Sequence, residues 1–451
     1  MTIQAPRRAL WISDYFPRPH DMTAGTWALE SVVALQAAGL PVVVVAPTPW
    51  IPRQLAVTAT LREWSRVPAQ LEIKGVPVFY PRLPHYPRRW VIEHFYNPVP
   101  FLESSFLWPW IRGAVDRVMR THPFDLVHTN FLFPSGYLGL ELKHRYGTPL
   151  IVHERSVQRL AAARAHPARR EMYRRILRGA DVVITENWTM AGELREMEPA
   201  IAELRVFMQP GAYPDSRAAL AQPRPAAYQG RRIVLSVGTL SERKGHEYLI
   251  RAVAELRSEF PDLVCRIIGE GPERPRLQAL ILDLALQDCV ELCGRAPHVE
   301  VLGAMSWCDI FALPSWGEAG GTVYGEAMQF GKPIIACIGE GITEHVRDGV
   351  HGLLVPPRDV TALASVLRQL LSAPEARERM GAAARALAVA RLSYSKLAGE
   401  LIALYTSLSR RAARSQPDLV AAGRADSGPV APGPVDPASP DAEREPNAGE
   451  P

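Results

Sequence analysis

The sequence lacks any long apolar run, and nowhere does it approach the roughly 20 uninterrupted apolar residues that a membrane-spanning helix needs. Residues Met1–Leu10 also lack the apolar core of a secretory signal peptide. We therefore predict a cytoplasmic protein that is neither secreted nor membrane-spanning.

Cysteine is also scarce, and its five residues all lie in the C-terminal half. An odd number disfavours a disulfide framework, and Cys289 and Cys293 have no His or Cys pair at zinc-ligand spacing. We therefore predict buried free thiols. The balance of 51 Lys and Arg against 47 Asp and Glu, a net charge of +4, excludes a protein that coats polyanions, so no nucleic-acid partner is expected.

Short apolar runs alternate with amphipathic stretches along most of the chain, which is typical of βα units around parallel sheets. The pattern starts again in the second half, so we predict an α/β protein with two Rossmann-like domains in series. The expected strands are Ala9–Ser13, Val42–Ala46, Leu126–His128, Leu150–Val152 and Val182–Thr185, then Ile233–Val237, Val264–Ile268, Val290–Leu292, Ile310–Leu313 and Pro333–Ala336.

Composition sets the predicted boundaries. The segment 215–231 contains prolines and no apolar period, as an interdomain linker does. Ser415–Pro451 contains eight prolines and no aromatic residue, which predicts disorder. Pro47–Arg120, rich in Pro, Trp and Arg, is expected to be irregular. The organisation is then an N-terminal domain over 1–214, a linker over 215–231, a second domain over 232–390, a helix over 391–410 and a disordered tail over 411–451. The helix has one apolar face that could pack back across the domain boundary, formed by Leu397, Leu401, Leu404, Tyr405 and Leu408.

The most informative segment runs from Ala312 to Pro333. A strand ends near its start, a loop carries Glu318, and Gly320–Gly321 lead into a helix with Glu326 one turn in. Converging backbone N–H groups and the helix dipole suit a phosphate there. Carboxylates on either side of a phosphate are suited to accept hydrogen bonds from the hydroxyls of a sugar nucleotide. Alternatively, Glu326 only complements the dipole and Glu318 is an exposed loop acid.

A basic pair follows the first strand of the second half. Arg243 and Lys244 precede a helical period, so a pyrophosphate could dock at the helix entrance, although a solvated pair of charges would look the same. The turn Gly269–Pro272 is a weak signal, because Pro272 replaces the third glycine of a dinucleotide fingerprint and backbone geometry alone explains such turns.

Together these motifs, in this order and spacing, resemble the retaining glycosyltransferases of family 4, whose GT-B fold has two Rossmann-like domains facing across a cleft. The resemblance runs from about Ala9 to Leu408. It is strongest from Val234 to Pro357, where Glu318-x7-Glu326 and Ala336–Pro356 look like the family's signature.

The resemblance implies a role for each motif. Glu318 would bind hydroxyls of the donor sugar and orient its ring, Glu326 would bind the ribose, and Lys244 would neutralise the diphosphate. Backbone amides of Gly320, Gly321, Thr322 and Val323 would hold the phosphate and sugar, and the turn with Gly269 and Gly271, together with the Arg295–Pro297 loop, would bind the base. The family often has an arginine where this chain has Thr239, and we expect Arg243 to supply that charge.

The first domain departs further from the family pattern. Where many members place a sugar-contacting histidine after a strand, this chain has Arg155, with His153 two residues earlier, and either could face the donor. His128 looks like the first histidine of the family's H-x-H segment. Both histidines could equally be strand-end residues satisfied by the backbone. Gly25 and Thr26 partly match the loop that approaches the donor phosphates or the acceptor across the cleft.

The resemblance therefore implies a glycosyltransferase with a catalytic set of Glu318, Lys244 and Arg155. It would move a sugar from a nucleotide diphosphate sugar to a glycan or lipid-linked acceptor in cell-surface polysaccharide or glycolipid synthesis. It implies retention through front-face attack, in which the departing phosphate oxygen takes the acceptor's proton. No Asp-x-Asp pair stands in the segments that would line the cleft, so no metal and no other cofactor are expected.

Arginines cluster in the first domain, and the aromatic side chains of Pro47–Arg120 accompany them. Such a surface suits peripheral docking on the inner face of an anionic cell membrane, although a solvated helix face and a Trp-anchored loop core would look the same. The arginines are Arg155, Arg159, Arg164, Arg169, Arg170, Arg174, Arg175 and Arg178.

Two other function classes stay open. One is a GT-B sugar-nucleotide epimerase or phosphorylase. The other is a non-catalytic member that binds a sugar nucleotide or a protein partner, which the unusual Thr239 and Arg155 suggest. An NAD-dependent oxidoreductase is disfavoured, because no G-x-G-x-x-G follows the first strand.

Overall fold

The computed structural model describes residues 8–22, 24–83, 100–208, 210–213 and 217–415. Its first half contains a sheet of eight strands, parallel except for β4, in the order β10-β9-β8-β7-β1-β2-β5-β4. β3 and β6 pair separately. The strands are β1 Ala9–Ile12, β2 Val42–Val45, β3 Thr48–Pro49, β4 Gln70–Ile73, β5 Val76–Phe79, β6 Arg82–Leu83, β7 Leu126–Asn130, β8 Leu150–Glu154, β9 Val182–Thr185 and β10 Leu204–Val206.

The second half contains a wholly parallel sheet in the order β13-β12-β11-β14-β15-β16. Its strands are β11 Arg232–Val237, β12 Leu263–Ile268, β13 Val290–Gly294, β14 Ile310–Ala312, β15 Ile334–Cys337 and β16 Gly352–Val355. The predicted α/β architecture of two Rossmann-like domains is confirmed, and every predicted strand is present.

Helices cover both faces of each sheet, because side chains alternate along the strands between two apolar clusters. The helices are α1 Thr26–Ala37, α2 Ala59–Ser65, α3 Pro100–Thr121, α4 Tyr137–Tyr146, α5 Val157–Ala165, α6 Pro167–Gly179, α7 Trp188–Met197, α8 Arg217–Leu220, α9 His246–Leu256, α10 Arg274–Asp283, α11 His298–Trp307, α12 Thr322–Met328, α13 Val360–Ser372, α14 Pro374–Arg391 and α15 Tyr394–Ser415. None of the described helices combines the length and apolarity that a bilayer crossing demands.

The last helix, α15, packs against the first sheet and confirms the predicted crossing. The residues of its apolar face, among them Leu401 and Tyr405, are buried with Trp11 and Ile151 of that sheet. The predicted disordered tail lies outside the described residues from 416 onwards, as do residues 215 and 216 of the predicted linker.

Two expectations fail. Pro47–Arg120 is not irregular throughout, because β5 joins the main sheet and α3 fills its last third, although residues 84–99 lie outside the described part of the chain. Cys293 is an exposed thiol, whereas the other four cysteines are buried and free, as predicted.

Candidate active site

The second sheet reverses its strand order between β11 and β14. In open α/β sheets, ligands bind beyond the carboxyl ends of strands at such a reversal. β11 leads into a short helical turn, Glu242–Lys244, and then into α9. β14 leads into the loop that carries Glu318 and then into α12. The two loops meet, since the Trp316 N–H donates to the Arg243 carbonyl at 2.9 Å.

Two cations converge on one carboxylate where these loops meet. Arg243 Nη1 and Lys244 Nζ lie 2.6 and 2.7 Å from the same atom, Glu318 Oε1. The Glu318 and Lys244 side chains are 11% and 13% exposed, so water screens the cluster only partly. Two cations thus share one carboxylate oxygen, so an incoming anion could take up the N–H donors that Glu318 leaves unused.

Two hydrogen bonds from the segment that follows β15 hold the Glu318 loop. The Glu318 N–H donates to Glu340 Oε2 at 2.6 Å, and the Gly341 N–H donates to the Glu318 carbonyl at 3.2 Å. Burial and the charge of Glu318 raise the pKa of Glu340 above its ordinary value, although the backbone N–H donors oppose this. The loop is therefore fixed independently of Lys244.

The glycine pair follows directly. Gly321 precedes α12, and no side chain caps that helix, which begins at Thr322 and Val323. Gly320 to Val323 are all half-buried, so their backbone lies at the rim of the site. Glu326 lies one turn in, at 8% exposure.

The carboxylate of Glu326 has a partner that sequence reasoning missed. His298 Nε2 lies 2.9 Å from Glu326 Oε1, at the first residue of α11. Burial lowers the pKa of His298, but the hydrogen bond and charge of Glu326 outweigh burial, so this pKa is above its ordinary value. The only sequence signal was its place directly after the Arg295–Pro297 loop.

The glycine turn after β12 packs closely against the backbone of the loop after β11. A Cβ at Gly269 would lie 1.9 Å from the Gly238 carbonyl oxygen, and one at Gly271 would lie 2.3 Å from that of Leu240. Only glycine allows this approach to the β11 loop. Thr239 is exposed on that same loop. Backbone geometry therefore accounts for both glycines, and it also brings the turn to the edge of the site.

The first sheet places Arg155 and both predicted histidines together at its own carboxyl edge. The Arg155 guanidinium donates to Asn130 Oδ1 at 3.1 Å and to His153 Nδ1 at 3.0 Å, and it is paired with Glu186. It also lies 4.5 Å from the ring centroid of Trp27. The arginine is therefore an internal residue with at least three protein partners.

The two histidines are buried and neutral. Burial, with the charge of Arg155 adding, lowers the pKa of His128 and of His153 well below the usual range. His128 stacks on Trp11, and its Nδ1 lies 2.6 Å from the Tyr405 hydroxyl of α15. Both histidines stand at strand ends, but the backbone does not satisfy them: Nδ1 of each meets a side chain, and Nε2 of each is buried without a partner among the described residues.

The N-terminal loop lies at the start of α1. Gly25 directly precedes this helix, and its carbonyl accepts the N–H groups of Ala28 and Leu29 at 2.9 and 3.2 Å. Thr26 is the first residue of α1. Residue 23, just before this loop, lies outside the described residues.

Side chains of the first half contact the Glu318 loop directly. Gln158 Nε2 donates to the Gly317 carbonyl at 2.8 Å, and Asn187 Nδ2 donates to that of Ala319 at 2.6 Å. The carboxylate loop is therefore shared by both halves of the molecule.

Family models identify both halves. The model for glycosyl transferases group 1 matches residues 220–387, and that for a glycosyl transferase 4-like domain matches residues 23–211. The D-inositol 3-phosphate glycosyltransferase of Thermobispora bispora is 30% identical over 314 residues, 65% of this chain and 73% of that enzyme. The chain is a group 1 glycosyltransferase.

Two further proteins are similar to this glycosyltransferase. The alpha-D-kanosaminyltransferase of Streptomyces kanamyceticus is 36% identical over 178 residues, 40% of this chain and 46% of that enzyme, so the match spans about half of the relative's length. The structure of Anabaena HepE in complex with UDP and glucose aligns with a TM-score of 0.66 at 18% identity, covering 88% of this chain and 99% of HepE. This likeness shows the GT-B fold.

The glycosyltransferase thus has Arg243, Lys244 and Glu318 together at the carboxyl edge of the second sheet, and Arg155, His128 and His153 together at that of the first. Sequence reasoning missed the partners that hold each group: His298, Glu340, Glu186 and Tyr405. Glu340 lies inside the quoted signature, so position alone could have indicated it. Among the described residues, no cluster of three or more His, Cys, Asp or Glu side chains is arranged to hold a metal ion.

Proposed function

We propose that the glycosyltransferase moves a sugar from a nucleotide diphosphate sugar to a glycan or lipid-linked acceptor, with retention at the anomeric carbon. The convergence of Arg243 and Lys244 on Glu318, beside the uncapped start of α12, carries the proposal. HepE, of the same fold, has been solved with UDP and glucose, which supports this class of donor.

Donor binding would rearrange this ion cluster. An incoming diphosphate would take up Lys244 and Arg243 as partners, because phosphate oxygens accept strong charge-assisted hydrogen bonds. Glu318 would then be free to accept hydrogen bonds from hydroxyls of the donor sugar. Glu326 lies farther along α12, where it would bind the ribose.

The transfer step would follow from the same charges. The bond between the anomeric carbon and the diphosphate oxygen breaks, and the acceptor oxygen bonds to that carbon from the same face. The departing phosphate oxygen takes the acceptor's proton. Lys244 and Arg243 would stabilise the negative charge that develops on the leaving group, which is preorganised electrostatic catalysis.

A thermal-shift screen against UDP, GDP, ADP and their common sugar conjugates tests this function. Saturating donor should raise the melting midpoint by several degrees, because a ligand that binds only the folded state stabilises it by mass action. Lys244→Ala and Glu326→Ala should abolish the shift. The control, Lys396→Ala, removes an exposed lysine of α15. No shift with any nucleotide would argue against a donor site.

The arginine-rich helices are less positive than their sequence indicates. Arg174 and Arg178 lie 3.2 and 2.9 Å from Glu198 Oε2, and Arg164 lies 3.1 Å from Glu193. The segment Trp50–Arg66 is a better membrane surface, because its apolar side chains Trp50 and Val57 are 48% and 70% exposed. It also exposes arginines, namely Arg53, Arg62 and Arg66.

We propose that this segment docks on anionic lipid, as exposed Trp beside Arg favours. Flotation with liposomes that contain phosphatidylglycerol should recover the protein at low salt. Trp50→Ser with Val57→Ser should reduce recovery more than Arg174→Ser. Absence of flotation at low salt would exclude membrane docking.

A further inference from the structure

His298 contacts the carboxylate that the proposed function assigns to the ribose. His298 is the first residue of α11 and directly follows Pro297. Its Nε2 atom lies 2.9 Å from Glu326 Oε1. A carboxylate in its charged form only accepts hydrogen bonds, so the ring must donate through an Nε2–H. One oxygen of Glu326 is therefore already committed to a protein donor.

The other oxygen has no such partner. Within the described residues, the Glu326 carboxylate makes no hydrogen bond except that from His298. A carboxylate has about four acceptor positions, and a buried one is costly to leave unsatisfied. Oε2 of Glu326 is therefore the atom available to a hydroxyl of a bound ligand.

Aromatic packing fixes the direction of the histidine. The Tyr213 ring meets the His298 ring at a centroid distance of 6.1 Å and the Tyr394 ring, at the start of α15, at 4.9 Å. Tyr213 is held in turn by its backbone N–H, which donates to Gln329 Oε1 at 2.7 Å, one turn beyond Glu326 on the same stretch of chain. Tyr213 thus links His298 to the end of α12. The position of the histidine ring is therefore tied to the helix that carries Glu326.

We propose that His298 is a positioning residue for the ribose of the donor. By holding Oε1 it directs Oε2 of Glu326 at a ribose hydroxyl, and this makes the site discriminate between ribonucleoside and 2′-deoxyribonucleoside diphosphates. A site built to bind a hydroxyl disfavours the analogue that lacks it, because a largely shielded acceptor, here on a residue 8% exposed, then loses a hydrogen bond. The inference rests on the proposed donor site.

Calorimetric titration of the full chain tests it with UDP, GDP and ADP and their 2′-deoxy counterparts. Wild type should bind the matching ribonucleotide about 10- to 100-fold more tightly than the deoxynucleotide, as expected for a hydrogen bond to a charged group. His298→Leu should bring this ratio to within about threefold of unity. His298→Gln keeps an N–H donor at similar reach and should retain most of the ratio.

The affinity for inorganic pyrophosphate is the control measurement. It would fall if His298 only maintained the structure of the site. This affinity should be the same in wild type and His298→Leu, because pyrophosphate needs only the Lys244 cluster. A variant that weakens pyrophosphate as well has disturbed the whole site and overturns the positioning role. An unchanged ribose ratio in His298→Leu, with tight ribonucleotide binding intact, overturns it and leaves the proposed function standing. If wild type binds no nucleotide, the proposed function and this inference fail together.

Discussion

The two sheets of the molecule both carry charged side chains at their carboxyl edges, but these side chains differ in their ion-pair partners and in their burial. At the second edge, Lys244 and Arg243 share the single carboxylate of Glu318, and all three side chains reach solvent. At the first edge, Arg155 is bound by Glu186, among other partners, and its side chain is 4% exposed. The cations of the second edge can exchange partners with an incoming anion, whereas Arg155 at the first edge is committed to buried protein partners.

A charged side chain therefore indicates a ligand site only where neighbouring protein side chains do not already pair it. By the resemblance, Arg155 stands where many family members would place a sugar-contacting histidine, which in sequence alone suggests a substrate contact. In the structure, Glu186 compensates for the added charge. Burial outweighs Arg155 and raises the pKa of Glu186 to about 7, so its ionised form near neutral pH depends on the arginine.

The largest contrast between the two edges is expected in the stability that is lost when Arg155 or Lys244 is replaced by methionine. Arg155→Met leaves a buried carboxylate without its cation and should lower the free energy of unfolding by about 3–5 kcal/mol. Lys244→Met should lower it by about 1 kcal/mol or less, because Arg243 still neutralises Glu318. Chemical denaturation of both variants measures the contrast.

The control is to remove the carboxylate as well. Arg155→Met with Glu186→Leu should recover most of the lost stability, since no charge is then buried alone. A different result would reverse the comparison: if Arg155→Met unfolds like wild type but loses donor binding, the arginine faces the substrate and the first edge is part of the site.

The sequence predicted the central strands well because parallel strands buried on both faces are continuous apolar runs. It missed β4 and β5, since Gln70–Ile73 is polar at alternate positions and Pro77 interrupts Val76–Phe79. It also placed Lys244, Glu318 and Glu326 after strands of the second half, because each lies in a short local motif; their role as donor-site residues stays a prediction. It could not find pairs such as Arg155 with Glu186 or His128 with Tyr405, which are 31 and 277 residues apart and leave no local pattern.

Lowering the pH should reduce the free energy of unfolding through His246, which lies at the second edge. Burial, with the charge of Lys244 adding, lowers the pKa of His246 to about 4. The unfolded chain takes up a proton below about pH 6.5 while the native ring stays neutral, so stability falls as the pH drops from about 6.5 towards 4. The loss should reach about 2 kcal/mol at pH 5. At the first edge, the same loss from His128 and His153 is opposed by Glu186, whose raised pKa lets the native state bind a proton first.

Thermal midpoints at pH 7.5 and pH 5 test this asymmetry. His246→Gln should reduce the acid-induced drop by about 4–8 °C, on the usual scale of about 2–4 °C per kcal/mol for domains of this size. His144→Gln, an exposed histidine of α4, is the matched control. Equal acid dependence in wild type and His246→Gln would mean that the ring is protonated in the native state.

The smallest expected effect concerns a third contact between the two halves, at Glu344. The Glu344 carboxylate accepts the Trp188 N–H at 2.7 Å and the Thr189 N–H at 3.2 Å, so an acid of the second half caps α7 of the first. The contact is exposed, so Glu344→Ala should weaken the association of the two halves by only about 1 kcal/mol, about a fivefold change in the equilibrium constant between joined and separated halves.

Small-angle scattering should therefore give a larger radius of gyration for Glu344→Ala, and saturating donor should restore the compact value by adding its own contacts to both halves. Glu196→Ala removes an 80% exposed glutamate of the same helix and should leave the radius unchanged. If Glu344→Ala stays as compact as wild type, the remaining contacts at Gly317 and Ala319 suffice to hold the halves together. The two edges would then be coupled through the Glu318 loop itself, so donor binding at the second edge would act directly on the first.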